Sequence, residues 1–235
     1  MLKAAIFDMD GVIIDSHPLH KRAWRTFLES VGREVADQEL EFVLDGRRRD
    51  EILKFSLGDL DERQIRDFGE QKNKFFYDLV ESVRLTAGFR EFVEELERQA
   101  VKLAVATSAT RSRTEYILDR FDLHRRFTIV VTGNDVPQSK PDPAIFSSTC
   151  AQLGESASRA VVFEDAASGV KGALRAGMKC VGIADEKCAP LLYQAGADHV
   201  CRDFTLLSVS TVHGLFGAEQ GGAQGTIGTL WMSNS

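Results

Sequence analysis

Residues Ala4-Ala5-Ile6-Phe7-Asp8-Met9-Asp10-Gly11 decide how the rest of the chain is read. The four apolar residues form an unbroken run, the pattern of a short strand buried on both faces. Two carboxylates at alternate positions end the run, and Gly11 permits a tight turn. Two readings fit the acids: an acidic turn after an ordinary strand, or part of a cation site, because desolvating a carboxylate without a partner is costly. In open α/β sheets ligands bind at the carboxyl ends of the strands, so the second reading requires polar groups at the ends of other strands.

Working outward, Val101 to Thr107 reads as a strand ending in hydroxyls, and Phe127 to Val131 as a strand followed by the loop that carries Lys140. Ala160-Val161-Val162-Phe163 is a further apolar run, ending in Glu164-Asp165. Lys179 to Ile183 and His199-Val200 complete the set. Helices are expected at about Phe89–Gln99, Ser112–Phe121, from Pro143 with Asp142 as N-cap, Gly169–Ala176 and Ala189–Ala195. Such alternation predicts a doubly wound, Rossmann-like α/β fold, its parallel sheet covered on both faces. Residues 16 to 84 interrupt it with no strand pattern. Helices are expected there at about His17–Val31 (stopped by Gly32), Asp37–Leu44, Arg48–Leu57 and Asp61–Val83. The expected organisation is an α/β core of residues 1–15 and 87–216, an inserted all-helical cap of residues 16–86, and a loosely held tail of residues 217–235, rich in Gly, Ser, Gln and Thr.

Parallel strands place their C-terminal ends on one edge, so Asp8, Asp10, Thr107, Lys140, Glu164 and Asp165 can converge although they are far apart in sequence. Hard oxygen ligands from separate carboxylates are what Mg²⁺ prefers. Lys140 would balance the acids and hold a phosphate oxygen, with Thr107 donating to another. Blander readings stand beside these: Thr107 capping a turn, Lys140 solvated in its loop, Glu164 orienting other groups without touching metal.

Composition narrows the field. The chain has 235 residues, 43% hydrophobic and 27% charged, as ordinary globular proteins do. Its net charge of −6 argues against a broad nucleic-acid or anionic-membrane surface. No stretch is long enough to span a bilayer, and the short first apolar run does not read as a signal peptide. Cys150, Cys180, Cys188 and Cys201 form no CxxC pair and are expected to be buried, reduced thiols; the expected location is cytoplasmic.

Asp8-Met9-Asp10-Gly11-Val12, Thr107-Ser108, Ser139-Lys140-Pro141-Asp142-Pro143 and Glu164-Asp165-Ala166-Ala167-Ser168-Gly169 resemble, in order, the four motifs of the haloacid dehalogenase superfamily. The helical insert resembles the cap of its β-phosphoglucomutase-like branch. The resemblance implies Asp8 as nucleophile and Asp10 as general acid/base. It implies Mg²⁺ held by Asp8, the Asp10 carbonyl and Asp165 with Glu164 nearby, and the phosphoryl group held by Thr107, Ser108 and Lys140. True dehalogenases and phosphonate-cleaving relatives lack an acid at the position of Asp10, so its presence implies phosphate esters. His20, Arg49 and Lys72 resemble cap positions that contact substrate; their bland reading is a solvated helix face. One departure matters: the mutase loop has Ser-Lys-Asn for a distal phosphate where this chain has Ala109-Thr110-Arg111. The expectation is therefore a phosphatase acting on a small phosphorylated metabolite, probed by a cap hinged at Ser16 and Leu85–Gly88, and either monomeric or weakly dimeric. A β-phosphoglucomutase-like mutase is the alternative, and a catalytically silent ligand- or partner-binding protein a remoter one.

Overall fold

A computed structural model describes residues 1–217, so the expectation for the tail lies, apart from Gly217, outside the described residues. The apolar runs form a six-stranded parallel sheet: β1 (Ala4–Phe7), β4 (Lys102–Ala106), β5 (Ile129–Val131), β6 (Ala160–Glu164), β7 (Lys179–Ile183) and β8 (His199–Cys201), in the order β5-β4-β1-β6-β7-β8. The side chains alternate between two cores, as a period of two requires. Ala5, Phe7, Leu103, Val105, Val161 and Phe163 join a core with α4 (Phe89–Arg98), α5 (Arg111–Arg120) and α9 (Val209–Gly214). Ala4, Ile6, Ala104, Ala106 and Val162 pack with α6 (Ala144–Leu153), α7 (Ala167–Arg175) and α8 (Ala189–Ala195) on the other face.

Phe7 and Phe163 sit side by side in register and stack with centroids 4.6 Å apart. Phe204, in a short 3₁₀ turn after β8, closes over both rings and over Phe89 and Phe92. Neither that turn nor α9 was evident from periodicity, because both are too short to show one.

The insert begins after β2 (Ile14–Asp15) and ends at β3 (Arg84–Leu85), and these two crossings pair antiparallel, Ile14 with Leu85 and Asp15 with Arg84. The pair was not expected, since two residues carry no strand pattern. Between them lie α1 (His17–Ser30), α2 (Arg49–Leu57) and α3 (Glu62–Tyr77), packed around Trp24, Phe27, Leu28, Leu40, Ile52 and Leu53. Gly32, at φ +80°, follows the end of α1, and Asp61 with Gln64 forms a capping box at the start of α3. Two expectations need correction. Glu39–Leu44 is a 3₁₀ helix, and α3 stops at Tyr77, with Val80–Ser82 forming a separate 3₁₀ turn. The apolar spacing through Leu79 and Val83 reflects burial against the base of the core and not helix continuity. Cys188 is also exposed, whereas the other three thiols are buried as expected. Among the described residues, no helix is long and apolar enough to cross a membrane.

Phe204→Ala is expected to lower the unfolding free energy by about 3–5 kcal/mol, as for a large aromatic removed from a packed core. Denaturant melts would check this, and a loss below about 1 kcal/mol would mean that the four rings do not depend on it.

Candidate active site

β1 lies between β4 and β6, where the strand order reverses, and the chain ends of β1 and β6 are adjacent. Asp8 follows β1, and Glu164 is the last residue of β6. Lys140, from the loop after β5, reaches beneath both: its Nζ donates to Asp8 Oδ1 at 2.5 Å and to Glu164 Oε1. The lysine side chain has no solvent exposure. Burial disfavours its charge, but the Asp8 and Glu164 carboxylates outweigh this and raise its pKa above the usual lysine value. Burial pushes Asp8 up to about 7 in spite of Lys140. Glu164 Oε2 accepts from the backbone N–H groups of Asp165 and Ala166, both at 3.1 Å. A Cβ on Gly169 would collide with the Glu164 carboxylate, so only glycine lets α7 lie directly on it. Glu164 is thus buried with both oxygens engaged, supporting Lys140 from below and absent from the cavity lining.

Asp10 faces the cap. Its Oδ1 accepts from Ser16 Oγ at 2.7 Å, His20 Nε2 at 3.0 Å and Arg113 Nη1 at 2.9 Å, while Oδ2 accepts from Arg113 Nη2 at 2.5 Å. Burial would raise the Asp10 pKa, but Arg113 and then His20 hold it well below the usual carboxylate range. On the far side of the imidazole, Lys72 Nζ lies 3.2 Å from His20 Nδ1. With Lys72 donating to Nδ1, a neutral ring carries its proton on Nε2 and donates to Asp10; Arg113 Nη1 also lies 3.0 Å from Nε2. Burial and the Lys72 charge drive His20 down to about 3, so the ring is neutral. Burial and Arg113 lower Lys72 to about 7.

Asp8, Asp10, His20, Lys72 and Arg113 open onto one cavity of about 350 Å³ between the strand ends and the cap, lined also by Thr107, Ser108, Arg49 and Asp165, whereas Lys140, like Glu164, is not part of its lining. Thr107 Oγ1 accepts from the Ala109 N–H at 3.1 Å, and Ser108 Oγ donates to the carbonyl of Gly46 in the cap at 2.7 Å. The Arg49 guanidinium rests against Gly69 of α3, where a Cβ would overlap it, and its nearest carboxylate is Asp50 at 3.3 Å. Arg111, in the loop that departs from the mutase, has its guanidinium tied to Asp135 at 2.6 Å and does not line the cavity. Arg113 does, and it went unnoticed in the sequence because an arginine within a helix reads as a solvated residue. The signal available was an unexpected apolar setting, with Thr114, Ile117 and Leu118 buried beside it.

Mg²⁺ can be tested against the donor set. Asp8 and Asp165 each spend one carboxylate oxygen, on Lys140 and on His17 Nε2 (2.6 Å) respectively, which leaves a second hard oxygen on each. Carboxylate oxygens at neighbouring strand ends suit Mg²⁺ and not a soft metal, so the residues fit. Among the described residues, no three His, Cys, Asp or Glu side chains are already gathered as a metal cage.

An aspartate pair at the reversal of strand order, under a helical lid, is the layout of a capped α/β hydrolase. The chain belongs to the haloacid dehalogenase-like hydrolases, whose family profile matches residues 5–183. It is 32% identical over 186 residues to a phosphorylated carbohydrates phosphatase of Thermotoga maritima, covering 76% of this chain and 83% of that one. It is 30% identical over 207 residues to the validoxylamine A 7'-phosphate phosphatase of Streptomyces hygroscopicus subsp. limoneus, covering 87% and 95%. The fold matches that of β-phosphoglucomutase from Clostridium difficile with a TM-score of 0.80, over 92% of this chain and 97% of the other at 22% identity.

Gly69→Ala is expected to push the Arg49 guanidinium out of its seat while stabilising α3 by up to about 1 kcal/mol, since Ala is the better helix former. A raised melting temperature with a raised KM would be the signature. An unchanged KM would show that the seat does not matter to substrate.

Proposed function

We propose that the chain is a Mg²⁺-dependent phosphohydrolase that cleaves a small phosphate monoester, a sugar phosphate, through an aspartyl-phosphate on Asp8. The observation that carries the reading is the buried Lys140 ammonium on Asp8, two residues from a second acid that answers to the cap. Asp8 Oδ attacks phosphorus as the ester P–O bond breaks, and the leaving oxygen takes a proton from Asp10. Water then attacks phosphorus, Asp10 takes its proton, and the Asp8–phosphorus bond breaks to release inorganic phosphate. With Arg113 on both its oxygens Asp10 is a carboxylate, ready to accept the water proton of the second step; for the first, the guanidinium must release one oxygen so that Asp10 takes up a proton from solvent, which it passes to the leaving oxygen and regains from the attacking water. In this reading Lys140, Thr107 and Ser108 hold the phosphoryl oxygens, and Arg49, Lys72 and His20 the rest of the substrate. Asp8, Asp165 and the Asp10 carbonyl would hold Mg²⁺, with Glu164 bracing Lys140. When bound, the ion offsets the repulsion between an anionic nucleophile and an anionic phosphate.

Phosphorylated carbohydrates as the substrate class are supported by the two phosphatase relatives named above. Hydrolysis is favoured over isomerisation because Arg111, the one cation of the loop at the mutase's distal-phosphate position, is held by Asp135.

Asp8→Asn is expected to bring turnover down to background with the fold intact, and chelation of Mg²⁺ to do the same reversibly. Phosphate release from a panel of sugar phosphates measures both. Substantial turnover by the Asn variant would exclude the covalent route. Supplied with β-glucose 1-phosphate and catalytic glucose 1,6-bisphosphate, the enzyme should release phosphate; accumulation of glucose 6-phosphate with little free phosphate would establish the mutase instead.

A further inference from the structure

His17 is the first residue of α1 and follows directly on the paired crossings that join cap to core. Its Nε2 lies 2.6 Å from Asp165 Oδ2, across more than a hundred residues of sequence. The approach is built in on both sides. Gly11, at φ +73°, has no room for a Cβ, which would stand 2.6 Å from the same Asp165 oxygen and overlap the imidazole. Only a glycine turn lets the ring lie over the Asp-x-Asp loop.

The imidazole also separates two cavities. His17 and Asp165 line both the substrate cavity and a second one of about 660 Å³ on the hinge side. That second space gives the ring somewhere to go. The His17 side chain is 34% exposed, so it can turn away without repacking a core, whereas Asp165 at 7% is fixed at its strand end. The hinge-side walls carry Asp15, Glu41, Asp45, Asp185 and Asp203 against Arg84 and Arg202, a balance that draws cations toward Asp165.

We propose that His17 is a built-in competitor for the divalent cation: by holding Asp165 Oδ2 it draws on the carboxylate whose other oxygen the ion would take, weakens that ligand, and leaves when the ion binds. This rests on the reading of Asp165 as a metal ligand. Because His17 leads α1, metal binding and the seating of the cap then share one contact. Releasing the imidazole frees the first turn of the cap, and holding it weakens the metal site. By linkage, whatever tightens one side of this exchange loosens the other.

The test is Mn²⁺ titration of the full-length, chelator-treated protein without substrate, followed by calorimetry or by the electron paramagnetic resonance of free Mn²⁺. His17→Ala should bind Mn²⁺ about tenfold more tightly than the wild type, the scale of one hydrogen bond to a charged group. His17→Gln, which keeps a shorter donor, should fall between them. Unchanged or weaker binding by His17→Ala would overturn the proposal, provided that Asp165→Asn weakens binding. If Asp165→Asn has no effect, or if the wild type binds no Mn²⁺, the metal reading itself fails and the proposal with it. A readout independent of any variant is the ¹⁵N spectrum of the imidazoles on adding Mg²⁺. The His17 ring signals should move as its bond to Asp165 breaks, and unmoved signals would also overturn the proposal.

Discussion

The site depends on one ammonium group kept entirely out of water. Lys140 is tolerable in the interior only because Asp8 and Glu164 meet it from two adjacent strands. Removing one partner of such a buried ionic cluster typically costs about 3–5 kcal/mol, because it strands a charge. The requirement spreads outward. β1 and β6 must be neighbours in register, the loop after β5 must pass under them, and α7 must carry glycine at position 169 to leave room for Glu164. The buried ammonium is thus a constraint on the fold, and not only on the site.

A second cluster, Asp10 with His20, Lys72 and Arg113, ties cap to core in the same currency of buried charge. Elsewhere the two parts meet mainly through single polar contacts: Ser108 to the Gly46 carbonyl, Ser168 to the Asp45 carbonyl, and Arg48 to the carbonyls of Val136 and Pro137. Contacts of this kind exchange readily with water. The apolar continuity lies at the hinge side, where Phe76, Val80 and Val83 join the core cluster. An attachment that is greasy at one end and polar at the other allows rotation about the greasy end.

Much of this was legible in the chain itself. Unbroken apolar runs ending in Asp, Thr and Glu-Asp marked the strands and the edge on which their ends gather, because parallel pairing leaves few other arrangements. Boundaries were less visible. A two-residue strand such as Arg84–Leu85 has no periodicity to detect, and burial at Leu79 and Val83 imitated a helix that had already ended. The division of labour among the acids was also hidden: Glu164 and Asp165 are consecutive, yet one turns down to Lys140 and the other out to the cavity.

Arg111 and Arg113 show where the limit falls. They are two residues apart on one helix, and at about 100° per residue they point in nearly opposite directions. The sequence determined that two guanidiniums follow the second strand-end motif, and it determined the sheet, the lid and the acids that they could serve. It contained nothing to say which arginine faces Asp10, because that partner lies 103 residues away and is brought there by strand order. The same holds for His17 and Asp165, 148 residues apart. Local patterns fix what a residue is and which element carries it. Only the packing of helix on sheet fixes the rotation of that element, and with it the charges that meet.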